Sequence, residues 1–223
     1  MINGEISGIG TCIVHHDVAW LAHIIVHPNH RNKGIGKRIT EQLIDLSHKK
    51  GCKTINLIAT DLGEPVYRKA GFEMDTEYLV FKDITISDTA GISENIVSYA
   101  TMFKNQIEEL DRHTSGEDRM HHLESYLKGS YVYHSNGDVK GFYLPEWGEG
   151  LIIASTEDAG IGLMKMRFTT KQIISFPVDN ASARHFMHRH GQKEFRKITR
   201  MRMGDSRLWV PENIYGRIGG NLG

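Results

Sequence analysis

A six-residue loop limits the possible folds of this chain more than any other feature of its sequence. The loop reads Arg31-Asn32-Lys33-Gly34-Ile35-Gly36, and it follows residues 19–26, a continuous apolar run typical of a strand buried on both faces. After the loop, apolar residues recur every three or four positions until Gly51, as on one face of a helix. This predicted face consists of Ile35, Ile39, Leu43 and Leu46.

The loop is predicted to bind an anion. Backbone N–H groups at a helix N-terminus have no partners within the helix, and the helix dipole gives them partial positive charge. Gly34 and Gly36 would let a phosphate approach the backbone closely. Arg31 and Lys33 add full positive charges. The sequence therefore predicts that residues 31–36 bind phosphate groups.

Strands and helices alternate around this loop. Residues 5–26 are rich in strand-forming residues and are interrupted by the polar turn His15-His16-Asp17, which predicts a hairpin. A strand at residues 54–59, a short helix from about Pro65 to Lys69 and a strand at residues 76–81 are predicted to follow.

Two other classes of glycine-rich loop fit this sequence less well. The Gly-Lys-Ser/Thr sequence of P-loops does not follow, and no acidic residue ends the next strand as in dinucleotide-binding folds. The chain instead has a buried strand, Pro28, Arg31-x-x-Gly34-x-Gly36, an amphipathic helix, a strand and then Tyr67-Arg68-Lys69-Ala70-Gly71-Phe72. These two motifs, in this order, resemble those of the GNAT N-acetyltransferases.

The resemblance implies a role for each motif. In the family, the Arg-x-x-Gly-x-Gly loop holds the pyrophosphate of the co-substrate acetyl-CoA, and the preceding strand pairs with its pantetheine arm. Here these positions are residues 31–36 and the strand end Ile24-Ile25-Val26. Tyr67 becomes the candidate general acid, with simple packing as the alternative. His23 is a candidate general base, beside a water chain or a purely structural histidine.

The second half of the chain repeats the first in altered form. Asn3-Gly4-Glu5 resembles Asn136-Gly137-Asp138, the loop resembles Glu157-Asp158-Ala159-Gly160-Ile161-Gly162, and Met187 stands where Tyr67 stands. Two carboxylates would repel a pyrophosphate, and a methionine cannot donate a proton. The chain thus resembles tandem GNAT proteins. Residues 1–84 would form a first domain with the acetyl-CoA loop, and residues 85–223 a degenerate second domain.

Several segments of the second half lead to separate predictions. Apolar spacing predicts one long helix over residues 94–110, and Ser115-x-x-Asp118 resembles a capping box for a helix that reaches Leu127. Asn180-x-x-Ala183 resembles an element that many GNAT proteins carry near the acetyl site. The apolar tail of residues 208–215 is expected to dock, with the first domain as one candidate surface.

The fold implied by the resemblance is α/β (α+β). It would have two GNAT-like domains, each with a mixed, largely antiparallel sheet flanked by helices. Compared with the second copy, the first lacks an opening strand, two helices and the next strand, so it is expected to be N-terminally incomplete. The strand near residues 6–14 would then have a free edge, which makes a homodimer a hypothesis.

Composition argues against several classes of partner. The 27 basic and 27 acidic residues give a net charge of zero, so no general attraction to nucleic acid or an anionic membrane is expected. No apolar run approaches the length of a membrane span, and no signal peptide is apparent. Cys12 and Cys52 are expected to be free thiols in the cytoplasm. His185, His188 and His190 lack further ligands nearby, so no metal is expected.

The predicted function is transfer of an acetyl group from acetyl-CoA to a small amine or amino-acid-like acceptor, by direct attack of the amine. The alternative is a non-catalytic protein that binds or senses acyl-CoA. It arises because the missing N-terminal region usually lines the acceptor site in this family.

Overall fold

Strands and helices follow the predicted order through the first third of the chain. The computed structural model describes residues 5–86 and 92–223, so the Asn3-Gly4 part of the repeat lies outside the described residues. The first elements are β1 (Gly8–His15), β2 (Val18–Val26), α1 (Ile35–Lys49), β3 (Thr54–Ala59), α2 (Glu64–Lys69) and β4 (Glu73–Phe81). They are followed by β5 (Ile96–Ser98), α3 (Lys104–Ser115), α4 (Met120–Leu127), β6 (Tyr131–Ser135), β7 (Asp138–Leu144), β8 (Leu151–Ala154), α5 (Glu157–Phe168), β9 (Ile174–Pro177), α6 (Ala181–Arg189), β10 (Glu194–Gly204) and β11 (Ile214–Gly216).

The chain groups into two compact units that do not follow its sequence order. The first comprises Met1–Thr76, Ile198–Arg207 and Gly220–Gly223, and the second comprises Glu77–Lys197 and Leu208–Gly219. Most of β10, near the end of the chain, therefore belongs to the first unit. The sequence-based division between residues 84 and 85 stays a prediction.

In the first unit, β2 lies between β1 and β3. β1 and β2 form the predicted antiparallel hairpin, and residues 18–21 of β2 run parallel to residues 54–57 of β3. On its other side, β3 pairs antiparallel with residues 199–204 of β10. The apolar core of this unit is formed by Ala19, Leu21, Leu43, Cys52, Ile55, Leu57, Ala59, Phe72 and Met201.

Helix α1 packs closely on β1 because β1 has a glycine at the point of contact. A Cβ atom on Gly10 would lie 2.6 Å from Ile39 Cγ2 and 2.8 Å from Leu43 Cδ1, too close for either methyl group. This contact fixes the helix, and with it the loop that begins the helix.

The Gly10→Ala substitution is expected to lower the free energy of unfolding by about 1–3 kcal/mol, because Ile39 Cγ2 is held on its own Cβ and the helix must shift. Chemical denaturation measures this loss. Gly220→Ala is the control, since a Cβ there has no neighbour within 4 Å. Equal stability of the two variants would contradict the close packing.

The predicted apolar face of α1 is wrong at its last position. Leu46 is 42% exposed, and Ser47 is buried instead, where its hydroxyl donates to the Leu43 carbonyl at 2.8 Å. The buried positions Thr40, Leu43 and Ser47 still follow helical spacing, so the helix was predicted correctly and the error in its predicted inner face is confined to Leu46.

The second unit contains a five-stranded antiparallel sheet in the order β11-β8-β7-β6-β5. Antiparallel pairing also joins β4 to β9 in this unit. Helix α5 packs against β7 and β8, and α3 packs on the same two strands. The two units thus confirm the expected fold class, mixed and largely antiparallel sheets flanked by helices.

Two predictions for the second half are wrong. Residues 96–98 form β5, which pairs with β6, so the expected helix over residues 94–110 begins only at Lys104. The pattern misled because β-branched Ile96 and Val97 fit a strand equally well. Ser115 ends α3 rather than capping α4, and its hydroxyl donates to the Asp111 carbonyl at 2.8 Å. None of the helices in the described residues has the length and apolar character needed to cross a bilayer.

Candidate active site

The two parallel strands of the first unit separate halfway along β2. Their pairing ends at Leu21, opposite Leu57, although β2 continues to Val26. The hairpin partner β1 shows a register shift at the same place, and His23 there has a φ of 50°. The pairing of β2 with β3 thus ends beside this bulge. Within the described residues, the backbone from residue 22 to residue 26 therefore has no strand partner on its β3 side.

The candidate general base, His23, lies at this bulge. His23 is exposed, and its left-handed backbone conformation is uncommon for a residue other than glycine. The sequence predicted that residues 19–26 form a strand buried on both faces, which is correct for residues 19–22 but wrong beyond them, since Ile25 is 53% exposed. Ile24 packs partly against the core, and Val26 is half-buried.

The predicted anion loop lies between a 3-10 turn, Pro28–His30, and the first turn of α1. Asn32 and Gly34 have φ values of 59° and 75°, and a Cβ on Gly34 would have no neighbour within 4 Å. Gly34 is the N-cap residue of α1, and it has no side chain that could cap the helix. The N–H groups of the first helical turn, from Ile35 and Gly36 onward, are therefore available for an acceptor.

The two cationic side chains of the loop each donate a hydrogen bond to a backbone carbonyl. Arg31 Nε donates to the carbonyl of Val26 at 3.3 Å, and Lys33 Nζ donates to the carbonyl of Asn29 at 3.2 Å. Both residues are exposed, so each retains further donors for a ligand. Free backbone donors, two cations and a helix N-terminus fit a phosphate group at this place.

Tyr67 lies on α2 and is half-buried. Its ring packs edge-on against Phe72, with ring centroids 6.1 Å apart. A Cβ on Gly63 would lie 2.7 Å from the tyrosine ring, so this glycine is required for the ring to adopt its position. Burial raises the pKa of the Tyr67 phenol above its ordinary value of 10.0. The phenol is therefore protonated at neutral pH and can act as a donor.

The contacts that hold α2 in place could not be predicted from the sequence. Glu64, its first residue, accepts a hydrogen bond from Thr199 Oγ1 of β10 at 3.0 Å and forms an ion pair with Arg68 at 2.7 Å. These hydrogen bonds lower the pKa of the Glu64 carboxyl, Arg68 having the larger influence. Thr199 is 135 residues away in sequence, so no local pattern could have identified it.

Residues 157–162, the segment that the sequence analysis matched to the loop, do not form a loop in the structure. These six residues form the first turns of α5, where the Thr156 hydroxyl accepts from the Ala159 N–H at 3.4 Å. Met187, which the sequence analysis matched to Tyr67, is fully buried on α6. No group of three or more histidine, cysteine or acidic side chains suited to a metal occurs in the described parts of the chain.

Comparisons with known proteins match the part of the chain that contains the candidate site to one family. The sequence pattern of the GNAT acetyltransferase family matches residues 1–72, the part that contains β2, the loop and Tyr67. A glucosamine 6-phosphate N-acetyltransferase from Trypanosoma brucei brucei is 33% identical over 55 residues, which is 25% of this chain and 37% of that protein. The chain thus spans little more than a third of the length of this relative.

Solved structures show the fold of the whole chain. A Pyrococcus horikoshii protein named as an acetyltransferase is 21% identical and has a TM-score of 0.84, covering 97% of this chain and 76% of that one. A tandem GNAT protein from the clavulanic acid biosynthesis pathway is 12% identical, with a TM-score of 0.59 and coverage of 93% and 82%. Residues 1–72 thus match the GNAT acetyltransferase family, and the solved structures show that the whole chain has a fold found in proteins named as acetyltransferases.

Proposed function

We propose that this chain is an acetyl-CoA-dependent N-acetyltransferase that acts on a small amine or amino-acid-like acceptor. The observation that carries the proposal is the open backbone of residues 22–26, which ends at an anion-binding loop on a helix N-terminus. An extended ligand with amide groups at one end and phosphates at the other fits this combination. Bound acetyl-CoA would supply an acetyl thioester open to attack by the acceptor amine.

Different residues of the first unit are proposed to bind acetyl-CoA and to transfer protons. The backbone of Ile24, Ile25 and Val26 offers hydrogen bonds to the pantetheine amides, and one N–H would polarise the thioester carbonyl. Arg31, Asn32, Lys33, Gly34, Ile35 and Gly36 form the pyrophosphate loop. Tyr67 holds a proton for the departing thiolate, and His23 is the candidate base for the proton of the amine.

The second half is proposed to be a degenerate copy that does not take part in the chemistry. Residues 85–223 would form this second domain, and residues 1–84 the first. Support comes from Glu157 and Asp158 at the start of α5, where the first copy has its basic loop, and from the buried Met187 in place of a tyrosine.

The non-catalytic alternative, an acyl-CoA-binding or sensing protein, rests on the exposure of His23. A general base works best where water is excluded, but the His23 side chain is exposed to solvent. An assay of free CoA release across a panel of small amines separates the two functions. Turnover with any amine supports the enzyme, whereas binding without turnover supports the sensor.

Replacing Arg31 with alanine is expected to weaken acetyl-CoA binding by about ten- to a hundredfold, because a charged hydrogen-bond partner of a phosphate contributes roughly 1.5–3 kcal/mol. Isothermal titration calorimetry measures the change. Lys49→Ala, at the other end of α1, is the control and should bind like the parent protein. If the parent protein itself does not bind acetyl-CoA, both proposed functions fail.

A further inference from the structure

The C-terminal segment of residues 214–217 occupies a place that the first unit leaves open. In the repeat, β8 corresponds to β2, since each strand directly precedes one copy of the loop. β2 has no strand partner beyond Leu21 on the side away from β1, within the described residues. β8 has β7 on one side and β11 on the other. A strand of the chain itself therefore fills the second cleft.

Hydrogen bonds hold this segment from both sides. β11 pairs antiparallel with β8, with Ile214 opposite Ile153 and Gly216 opposite Ile152. On the opposite side, the Arg217 N–H donates to the carbonyl of Ser175 in β9 at 2.9 Å. The segment thus lies between β8 and β9, as an extended amide ligand would.

Asn180 adds a second contact on that side. Its side-chain oxygen accepts from the Ala183 N–H at 2.8 Å and caps α6, while Nδ2 donates to the Ile214 carbonyl at 3.0 Å. Asn180 is 1% exposed. The residue that resembles an acetyl-site element thus binds the chain's own backbone.

Tyr215 covers the start of α5. A Cβ on Gly160 would lie 2.2–2.4 Å from three atoms of the Tyr215 ring, so the ring lies directly on the helix backbone. Gly160 belongs to the second copy of the phosphate loop, and Tyr215 is 3% exposed. The helix surface that a pyrophosphate would approach is therefore occupied by an aromatic ring.

The space that remains beside the segment does not suit acyl-CoA. It is a cavity of about 230 Å³, smaller than ordinary ligand pockets of about 300–1,000 Å³. Three carboxylates line it, those of Glu157, Asp179 and Glu212. Their negative charge would repel phosphate groups.

We propose that residues 214–217 are an internal ligand that permanently fills the second acyl-CoA cleft, so that the chain binds acyl-CoA only in its first unit. This inference rests on the proposed equivalence of the two halves. The apolar tail belongs to the second unit, as part of Leu208–Gly219, and its residues Ile214 and Tyr215 are buried.

Hydrogen exchange measured by mass spectrometry tests whether the segment is permanently seated. In the parent protein, peptides covering residues 211–217 should exchange as slowly as those covering β8, with or without saturating acetyl-CoA. Fast exchange without the ligand, or faster exchange when acetyl-CoA is added, would overturn the proposal.

A steric variant tests the contact with Tyr215. Gly160→Ala should accelerate exchange of residues 211–217 by about fivefold to a hundredfold, because the added Cβ displaces the Tyr215 ring. Gly162→Ala on the same helix is the matched control, because its Cβ would lie at an ordinary 3.5 Å from Ile96 and Tyr133. Equal exchange in the two variants would contradict the seating of the Tyr215 ring on α5.

Calorimetry with acetyl-CoA distinguishes this inference from the proposed function. One acetyl-CoA site per chain supports both the internal ligand and the proposed function. Two sites per chain would contradict the internal ligand but would agree with the proposed enzyme function. If no site is found, the proposed function fails, and the exchange measurements alone decide whether the segment is seated.

Discussion

Replacing Tyr67 with phenylalanine is expected to lower turnover by about 10²- to 10³-fold, the loss typical of a missing general acid. The phenylalanine ring retains the contacts with Gly63 and Phe72, so the site should keep its shape. Acetyl-CoA affinity is therefore expected to stay within about twofold of the parent value, because only the proton donor is removed. The test is steady-state kinetics at a pH where chemistry limits the rate, together with calorimetry.

The pH dependence gives a second readout for Tyr67. Because burial raises the pKa of its phenol above 10.0, the donor form persists through neutral pH, and activity should be lost only as the pH rises past that raised value. The variant should lack this alkaline loss. Tyr126→Phe is the control, since Tyr126 stacks on Trp147 with ring centroids 5.4 Å apart in the second unit. Unchanged turnover in Tyr67→Phe would remove Tyr67 from the acid role.

Replacing Asp111 with alanine is expected to destabilise the protein by about 3–5 kcal/mol, the cost of leaving a buried charge without its partner. Asp111 accepts two hydrogen bonds from Arg119, at 3.0 and 2.8 Å, and both side chains are 4% exposed. Burial alone would lower the pKa of the Arg119 guanidinium, but attraction to Asp111 and Glu117 raises it overall. Without Asp111 the arginine remains charged, and Glu117 compensates only in part.

The same helix provides the control for this experiment. Glu108 pairs with Arg112 at 2.7 Å, but the two side chains are 32% and 56% exposed, so solvent screens this pair far more than the buried one. Glu108→Ala is expected to change the free energy of unfolding by about 0.5 kcal/mol or less, as exposed pairs do. Chemical denaturation of both variants makes the comparison. A loss below about 1 kcal/mol in Asp111→Ala would show that the buried pair is dispensable.

Local patterns predicted the elements of the candidate site well. The strand before the loop, the helix from Ile35 and the strand Thr54–Ala59 occur where apolar spacing and glycine positions placed them. These elements are short-range features, in which the period of the side chains follows directly from the backbone geometry.

Long-range pairing accounts for what could not be predicted. Residues 96–98 became a strand because β6 pairs with them, and nothing in their own spacing distinguishes this from a helix. The bulge at His23 depends on the register between β1 and β2, and the local sequence of β2 does not indicate it. Similarly, the contact of Tyr215 with Gly160 joins two segments whose sequences give no sign of each other.

The pairing of β10 with β3 has a consequence for biosynthesis. In the sheet that contains the candidate site, β3 pairs with residues 199–204 of β10. A ribosome must therefore synthesise residues 60–204 after β3 before this pairing can form. At 5–20 residues per second, the edge of β3 would wait on the order of ten seconds for its partner. During that interval the nascent chain exposes an unpaired strand, the kind of edge on which chaperones act and aggregates begin.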